Sequence, residues 1–180
     1  MIIDMARARA RPLESEDAEF VFSLMNDVAE PLSPSSSALE TPVSIERVRS
    51  WIREVNRLKS EMHMVLSKRK GGSFGLASVT EMNLANRSAR VAFLMPENDW
   101  RRGYGTEAIG GVVDFLFSRF NLHRIWTNVA AESELMTSAF SEAGFELEGT
   151  LKHDRYSGGG WKDSRLMSTL SDDFWGMPND

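Results

Sequence analysis

The chain contains no cysteine. That excludes disulfides, a thiolate nucleophile and a cysteine-ligated metal, and it fits a reducing compartment, so a cytoplasmic setting is expected. No apolar run approaches the roughly 18 residues of a membrane-spanning helix, and residues 1–11 lack the long apolar stretch of a secretory signal. No membrane partner is expected. Positive charge is also in short supply: 21 Lys and Arg stand against 26 Asp and Glu, a net charge of −5. This argues against a surface that coats nucleic acid, and the basic run Lys68-Arg69-Lys70 reads as a solvated turn. There is no His/Asp/Glu cluster at metal-ligand spacing, so no metal is expected. No internal repeat is visible.

What remains is an ordinary globular composition, 42% hydrophobic and 26% charged over 180 residues. That length suits one buried core, so residues 1–180 read as a single domain. The N-terminal alternation predicts an edge strand. Ser15-Glu16-Asp17 predicts a helix cap, with Phe20, Val21, Leu24 and Met25 at helical spacing after it. The Pro- and Ser-rich residues 31–37 predict a loop over a site or a plain linker. Ser44 caps a second helix that places Val48, Trp51, Ile52 and Val55 on one face.

From Met62 the texture becomes β, with three strands as an antiparallel meander ending in residues 89–95. Residues 106–120 return to helical period, with Ile109, Val112, Val113, Leu116 and Phe120 as the apolar stripe. A strand from Arg124, a helix over residues 135–140 stopped at Gly144, and a hairpin turning at Ser157-Gly158-Gly159-Gly160 complete the pattern. The order β-α-α-β-β-β-α-β-α-β-β predicts an α/β layer around a mixed sheet.

Trp100-Arg101-Arg102-Gly103-Tyr104-Gly105-Thr106-Glu107-Ala108 lies between a strand and an amphipathic helix. Its two glycines allow a sharp turn and close approach to a ligand. Outward-pointing amides and the positive end of a helix dipole suit a pyrophosphate, with Arg101 or Arg102 adding a full charge. The adjacent Gly110-Gly111 reads as a close helix-to-sheet contact.

This segment and its placement resemble the GNAT superfamily of N-acetyltransferases. The likeness extends to Arg11-Pro12-Leu13, Asn26-Asp27, Asn121-Leu122-His123-Arg124, Ala143-Gly144-Phe145, Glu148-Gly149 and Gly160-Trp161-Lys162-Asp163, and is nearest to the branch that acetylates ribosomal-protein N-termini. The resemblance implies the GNAT fold, a mixed, mostly antiparallel twisted sheet whose fourth and fifth strands splay apart to admit the pantetheine of acetyl-CoA or another acyl-CoA. A bulge near Leu94 and Met95 would aim a backbone N–H at the thioester carbonyl as an oxyanion contact. Cofactor contacts are then expected from Leu94, Met95, Arg101, Arg102, Gly103, Tyr104, Gly105, Thr106, Ser133 and Phe140.

Departures from the family pattern fall where its acid, base and cofactor ligands usually stand. Arg90 replaces a common Glu, Ser133 a common Asn, Met136 a common Ser and Phe140 the Tyr of other branches. The remaining acid–base candidates are Glu81 and Tyr156 first, then Glu97, Asp99 and His153. The resemblance places the acceptor pocket at residues 28–42, 44–56 and 153–162, with Glu40, Trp51 and Trp161 as substrate contacts. A small-molecule amine, such as a polyamine, an amino sugar or a metabolite amine, and a protein N-terminus are the expected acceptors, for a monomer or homodimer. Two alternatives are an aminoacyl-tRNA donor and a non-catalytic acyl-CoA sensor of the same fold.

Overall fold

The period-two stretches of the sequence assemble into one sheet in the computed structural model, which describes residues 1–27 and 44–176. Its strands are β1 (Ile3–Asp4), β2 (Ala8–Pro12), β3 (Met62–Lys68), β4 (Ser73–Asn83), β5 (Ser88–Leu94), β6 (Arg124–Ala130), β7 (Glu146–Ser157) and β8 (Gly160–Leu170). They lie in the order β1-β2-β3-β4-β5-β6-β8-β7. Every pairing is antiparallel except β5 with β6. That parallel pair needs a crossover, which α3 (Glu97–Arg101) and α4 (Tyr104–Phe120) supply.

The other helices are α1 (Ala18–Asp27), α2 (Ile45–Val55), α5 (Glu134–Glu142) and α6 (Ser171–Phe174). Among the described residues no helix is long and apolar enough to cross a membrane. Ser44 caps α2 by accepting the amide of Arg47 at 3.3 Å, as its position before an apolar stripe predicts. The first helix starts differently. Glu14, not Ser15, occupies its cap, and its amide donates to the Asp17 carboxylate at 2.9 Å across a short 3₁₀ turn.

The two faces of the sheet bury separate clusters. Val21 and Leu24 of α1 and Val48, Ile52 and Val55 of α2 pack over Val65 and Leu76. On the other face Ile109, Val112, Val113 and Leu116 of α4 cover Val91, Phe93 and Ile125. The expected last member of that stripe, Phe120, is half-exposed, and Phe117 is buried in its place. Asn121 at φ 51° ends the helix directly after Phe120.

Side chains alternate along a strand, and Ala89, Val91 and Phe93 belong to the α4 cluster. Arg90, Ala92 and Leu94 therefore face the α1–α2 side.

β5 and β6 pair only through Ser88, Ala89 and Arg90 against Arg124, Ile125 and Trp126. Beyond Arg90, residues 91–94 stay on β4 while residues 127–130 stay on β8, so a wedge opens between them.

An ion pair anchors the outer edge of this half. Arg124 makes two contacts to Glu148, at 2.5 and 2.7 Å, and Ser168 donates to the same carboxylate at 2.6 Å. These bonds lower the Glu148 carboxyl from its ordinary 4.5 to about 2. Because the folded value is the depressed one, the stabilisation is fully present above about 4.5 and is lost as pH falls through about 2. The melting-temperature difference between wild type and Glu148→Gln should therefore shrink on acidification through that window. A constant difference from neutral pH to pH 2 would show that the pair contributes nothing.

Candidate active site

The turn that follows the wedge is built on a buried tryptophan. Trp100 is 3% exposed at the end of α3, a helix the sequence did not announce because its five residues carry no apolar period. An ideal Cβ on Gly105 would fall 2.1 Å from Trp100 Cε3, so Gly105 lets α4 cross directly over the ring. Gly103 has φ 77°, a left-handed conformation that glycine adopts without steric penalty. It stands at the N-cap of α4, and among the described residues no side chain caps that end. The first-turn amides of α4 are thus left for a ligand or water, at the positive end of a 17-residue helix.

Arg7 holds this turn from the far end of the sequence. Its guanidinium donates to the carbonyls of Arg102 and Gly103, each at 3.1 Å, and to Glu107 at 2.8 Å, while its Cζ lies 4.9 Å from the centre of the Tyr104 ring. Glu107 also accepts the amides of Arg7 at 2.6 Å and Ala8 at 3.1 Å. Burial raises the Glu107 carboxyl, but the Arg7 and Ala8 bonds outweigh it and leave the value lowered. The amides of Arg102 and Gly103 donate back to the carbonyls of Asn98 at 3.2 Å and Trp100 at 2.9 Å, so Arg7 and α3 together fix the turn and the open amides are those of the first turn of α4. Glu107 lies within the segment read from sequence, but its pairing with Arg7 was not legible there.

The remaining expected cofactor residues divide by what they touch. Arg101 is exposed and paired with Glu97, and Arg102 is exposed. The Tyr104 ring packs against Phe74 at 5.2 Å and under Lys68 at 5.0 Å, so its ring is structural. Thr106 donates to Glu142 at 3.3 Å. Ser133 caps α5 by accepting the Met136 amide at 3.4 Å. Phe140 has no exposure and lies between Phe93 and Phe145, with ring centres 6.0 and 5.0 Å away.

Lys68, read from sequence as part of a solvated turn, instead pairs with Asp99 at 2.7 Å, and Arg69 donates to the Met5 carbonyl at 2.6 Å.

At the wedge, Met95 is fully buried and Gly75 permits close approach, since a Cβ there would meet the Leu94 carbonyl oxygen at 2.9 Å. The expected bulge near Leu94 and Met95 is not where the ladder breaks. β4 and β5 pair in steady register from Leu76 with Leu94 to Thr80 with Arg90, and the shift lies between Thr80 and Asn83. The β6-facing edge of residues 91–94 is exposed to the wedge by splaying, which makes a bulge unnecessary.

Glu81 sits at that shift with φ 51°, more than half exposed, 3.4 Å from Arg90 Nη1. Tyr156 and Trp161 lie on the outer hairpin, both largely exposed, with ring centres 5.5 Å apart. Since β5, β6 and β8 separate β4 from β7, the fold does not bring Glu81 and Tyr156 onto neighbouring strands. Trp51 packs edge-on against His63 at 5.2 Å. Glu40 and the other acceptor-pocket residues expected over 28–42 lie outside the described residues.

The structure adds one polar group that the sequence did not single out. His63 Nδ1 is 2.9 Å from Ser78 Oγ and Nε2 is 3.0 Å from Glu61. Burial lowers its pKa, with Glu61 opposing. The β3–β4 register, which sets His63 opposite Ser78, is what assembles it.

The chain matches the acetyltransferase (GNAT) domain family over residues 7–146. It is 26% identical over 161 residues to a spermidine N(1)-acetyltransferase of Vibrio cholerae, covering 89% of this chain and 91% of that one. It is also 26% identical over 177 residues to the uncharacterized N-acetyltransferase YoaA of Bacillus subtilis, covering 94% and 96%. The structure of Vibrio cholerae spermidine N-acetyltransferase in complex with CoA and spermine shares the fold at a TM-score of 0.84 and 24% identity, over 94% of this chain and 98% of that chain. These relatives support the family and do not single out its ribosomal-protein branch. An uncapped helix end beyond a splayed pair of strands, and a family match over most of the chain, lead to one assignment: the protein belongs to the GNAT acetyltransferases and is an N-acetyltransferase with acetyl-CoA as cosubstrate.

Proposed function

We propose that the protein acetylates the primary amine of a small molecule, with the thioester in the β5–β6 wedge and the pyrophosphate on the first turn of α4. The carrying observation is the uncapped start of α4 behind Gly103, reached through α3 from the strand β5 that has just left its neighbour. Residues Tyr104 to Thr106 would offer amides there, with Gly103, whose own amide is bonded to the Trp100 carbonyl, shaping the turn; Arg101 and Arg102 would add charge, and Leu94 and Met95 the wall and oxyanion contact of the wedge. Ser133 would border the cofactor through the start of α5.

In the reaction the amine nitrogen forms a bond to the acetyl carbon as the carbon–sulfur bond breaks. The amine gives up a proton and the thiolate gains one. Holding the reactants in attack geometry supplies about 7–11 kcal/mol of such a barrier. A single general base contributes about 10²–10⁴-fold. Glu81 is the favoured candidate base because it lies 3.4 Å from Arg90, the last β5 residue paired with β6. Tyr156 would protonate the thiolate only if the outer hairpin reaches the site, so positioning carries most of the rate.

A polyamine is the second reading for the acceptor, favoured by the spermidine acetyltransferases among the relatives. The likeness to the ribosomal-protein branch keeps a protein N-terminus as a third, and the lack of cysteine supports a cytoplasmic setting.

Acetyl-CoA should raise the melting temperature, because a ligand bound only by the native state stabilises it by mass action. Thiol release over an amine panel should then identify a turned-over acceptor. Binding without release for every amine would instead mark an acyl-CoA sensor, and no thermal shift at millimolar acetyl-CoA would remove the site altogether.

A further inference from the structure

The α1–α2 face of the sheet carries two arginines on neighbouring strands, and their charges are met very differently. Arg124 has a carboxylate across both Nη atoms, with Ser168 completing the set. Arg90 is more deeply buried, at 8% exposure, yet among the described residues its one acidic contact is Glu81 at 3.4 Å. Glu81 is itself 56% exposed, so water weakens what it offers. The Arg90 Nε is buried with no hydrogen-bond partner among the described residues, and its Cζ lies 5.3 Å from the centre of the Trp126 ring. Two residues further along β6, on the same face, Asn128 Oδ1 is also buried without a partner.

An arginine cannot shed its proton to escape such a position. A buried donor left unmatched is unfavourable unless something binds it, and a guanidinium fork is shaped for a carboxylate. Arg90 is also the last β5 residue paired with β6, which places it at the apex of the wedge where thioester and amine would meet.

We infer that Arg90 receives a carboxylate of the acceptor, so that the amine acetylated here belongs to a small amino acid or similar molecule bearing both groups, and not to a polycation. This rests on the acetyl-transfer reading above and chooses among its acceptors. Glu81 on β4 and Trp126 on β6 are the charged and aromatic groups in contact with Arg90; a polyamine ammonium brought to the same place would meet a buried like charge.

The test is steady-state thiol release with acetyl-CoA and matched acceptor pairs: lysine against 1,5-diaminopentane, phenylalanine against phenethylamine, and spermidine alongside. O-phosphoethanolamine against ethanolamine separates a phosphate from a carboxylate. The carboxylated member of a pair should have a kcat/KM at least about 10-fold higher than its decarboxylated partner.

Arg90→Gln should erase that preference by raising KM for the carboxylated acceptor, leaving the KM and thermal shift for acetyl-CoA unchanged. Arg90→Glu should turn the preference toward diamines, and Arg90→Lys should keep part of the original one. Preference for spermidine or the diamine by wild type would overturn the inference while leaving acetyl transfer intact, as would a preference confined to the phosphate-bearing amine. An equal fall in kcat for every acceptor in Arg90→Gln would show a purely structural arginine. No release with any amine would instead defeat the acetyl-transfer reading, and this inference with it.

Discussion

Gly105→Ala should lower the melting temperature sharply and abolish stabilisation by acetyl-CoA. A Cβ at that position would sit 2.1 Å from Cε3 and 2.4 Å from Cζ3 of Trp100, a ring that is itself 3% exposed. Overpacking of a well-filled site typically costs about 1–3 kcal/mol, and this contact is closer than a small side-chain shift can relieve. The sign is informative because the same change in an open helix gains roughly 1 kcal/mol. Gly110→Ala on the same helix provides that control, since nothing lies within 4 Å of its Cβ position. Thermal melts with and without acetyl-CoA would measure both. A Gly105→Ala protein as stable and as responsive as wild type would mean that the turn does not rest on Trp100.

Phe140→Ala should be the most destabilising simple truncation, at about 3–5 kcal/mol. The side chain has no exposure and bridges Phe93 of β5 to Phe145, which follows α5, so the cavity would open between the wedge strand and the helix behind it. Urea unfolding would read the change as a lower midpoint at similar slope. A loss below about 1 kcal/mol would show that the surrounding rings collapse to fill the gap.

Much of the architecture was legible because it depends on neighbours in sequence. Ser44 ahead of Val48 and Ile52 marks the start of α2, and the glycines between Tyr156 and Trp161 mark the hairpin. The turn before α4, where the cofactor is proposed to bind, was visible for the same reason, with two glycines and a helical stripe falling within one short segment. Local pattern could not choose between Phe117 and Phe120, since both fit helical spacing; the left-handed Asn121 decides it. Nor could it distinguish Ser15 from Glu14 as a cap, because the choice depends on the Asp17 bond. Gly110-Gly111 was half right: a Cβ on Gly111 would meet Met5 Cγ at 2.7 Å, whereas Gly110 is open.

The site was least legible where its parts come from distant positions. Arg7 meets Glu107 across 100 residues, and nothing in either neighbourhood announces the other. The pairing of His63 with Ser78 and the poorly matched charge of Arg90 likewise appear only once strand register is known.

The Arg7–Glu107 clasp joins the start of β2 to the turn before α4. The amides of Arg7 and Ala8 end on a carboxylate of α4, and the Arg7 guanidinium ends on the carbonyls of the turn, so neither segment can fray without releasing the other. Coupling of this kind is reciprocal. Whatever fills the turn protects the β1–β2 margin from amide exchange, and whatever loosens that margin weakens binding at the turn by the same free energy.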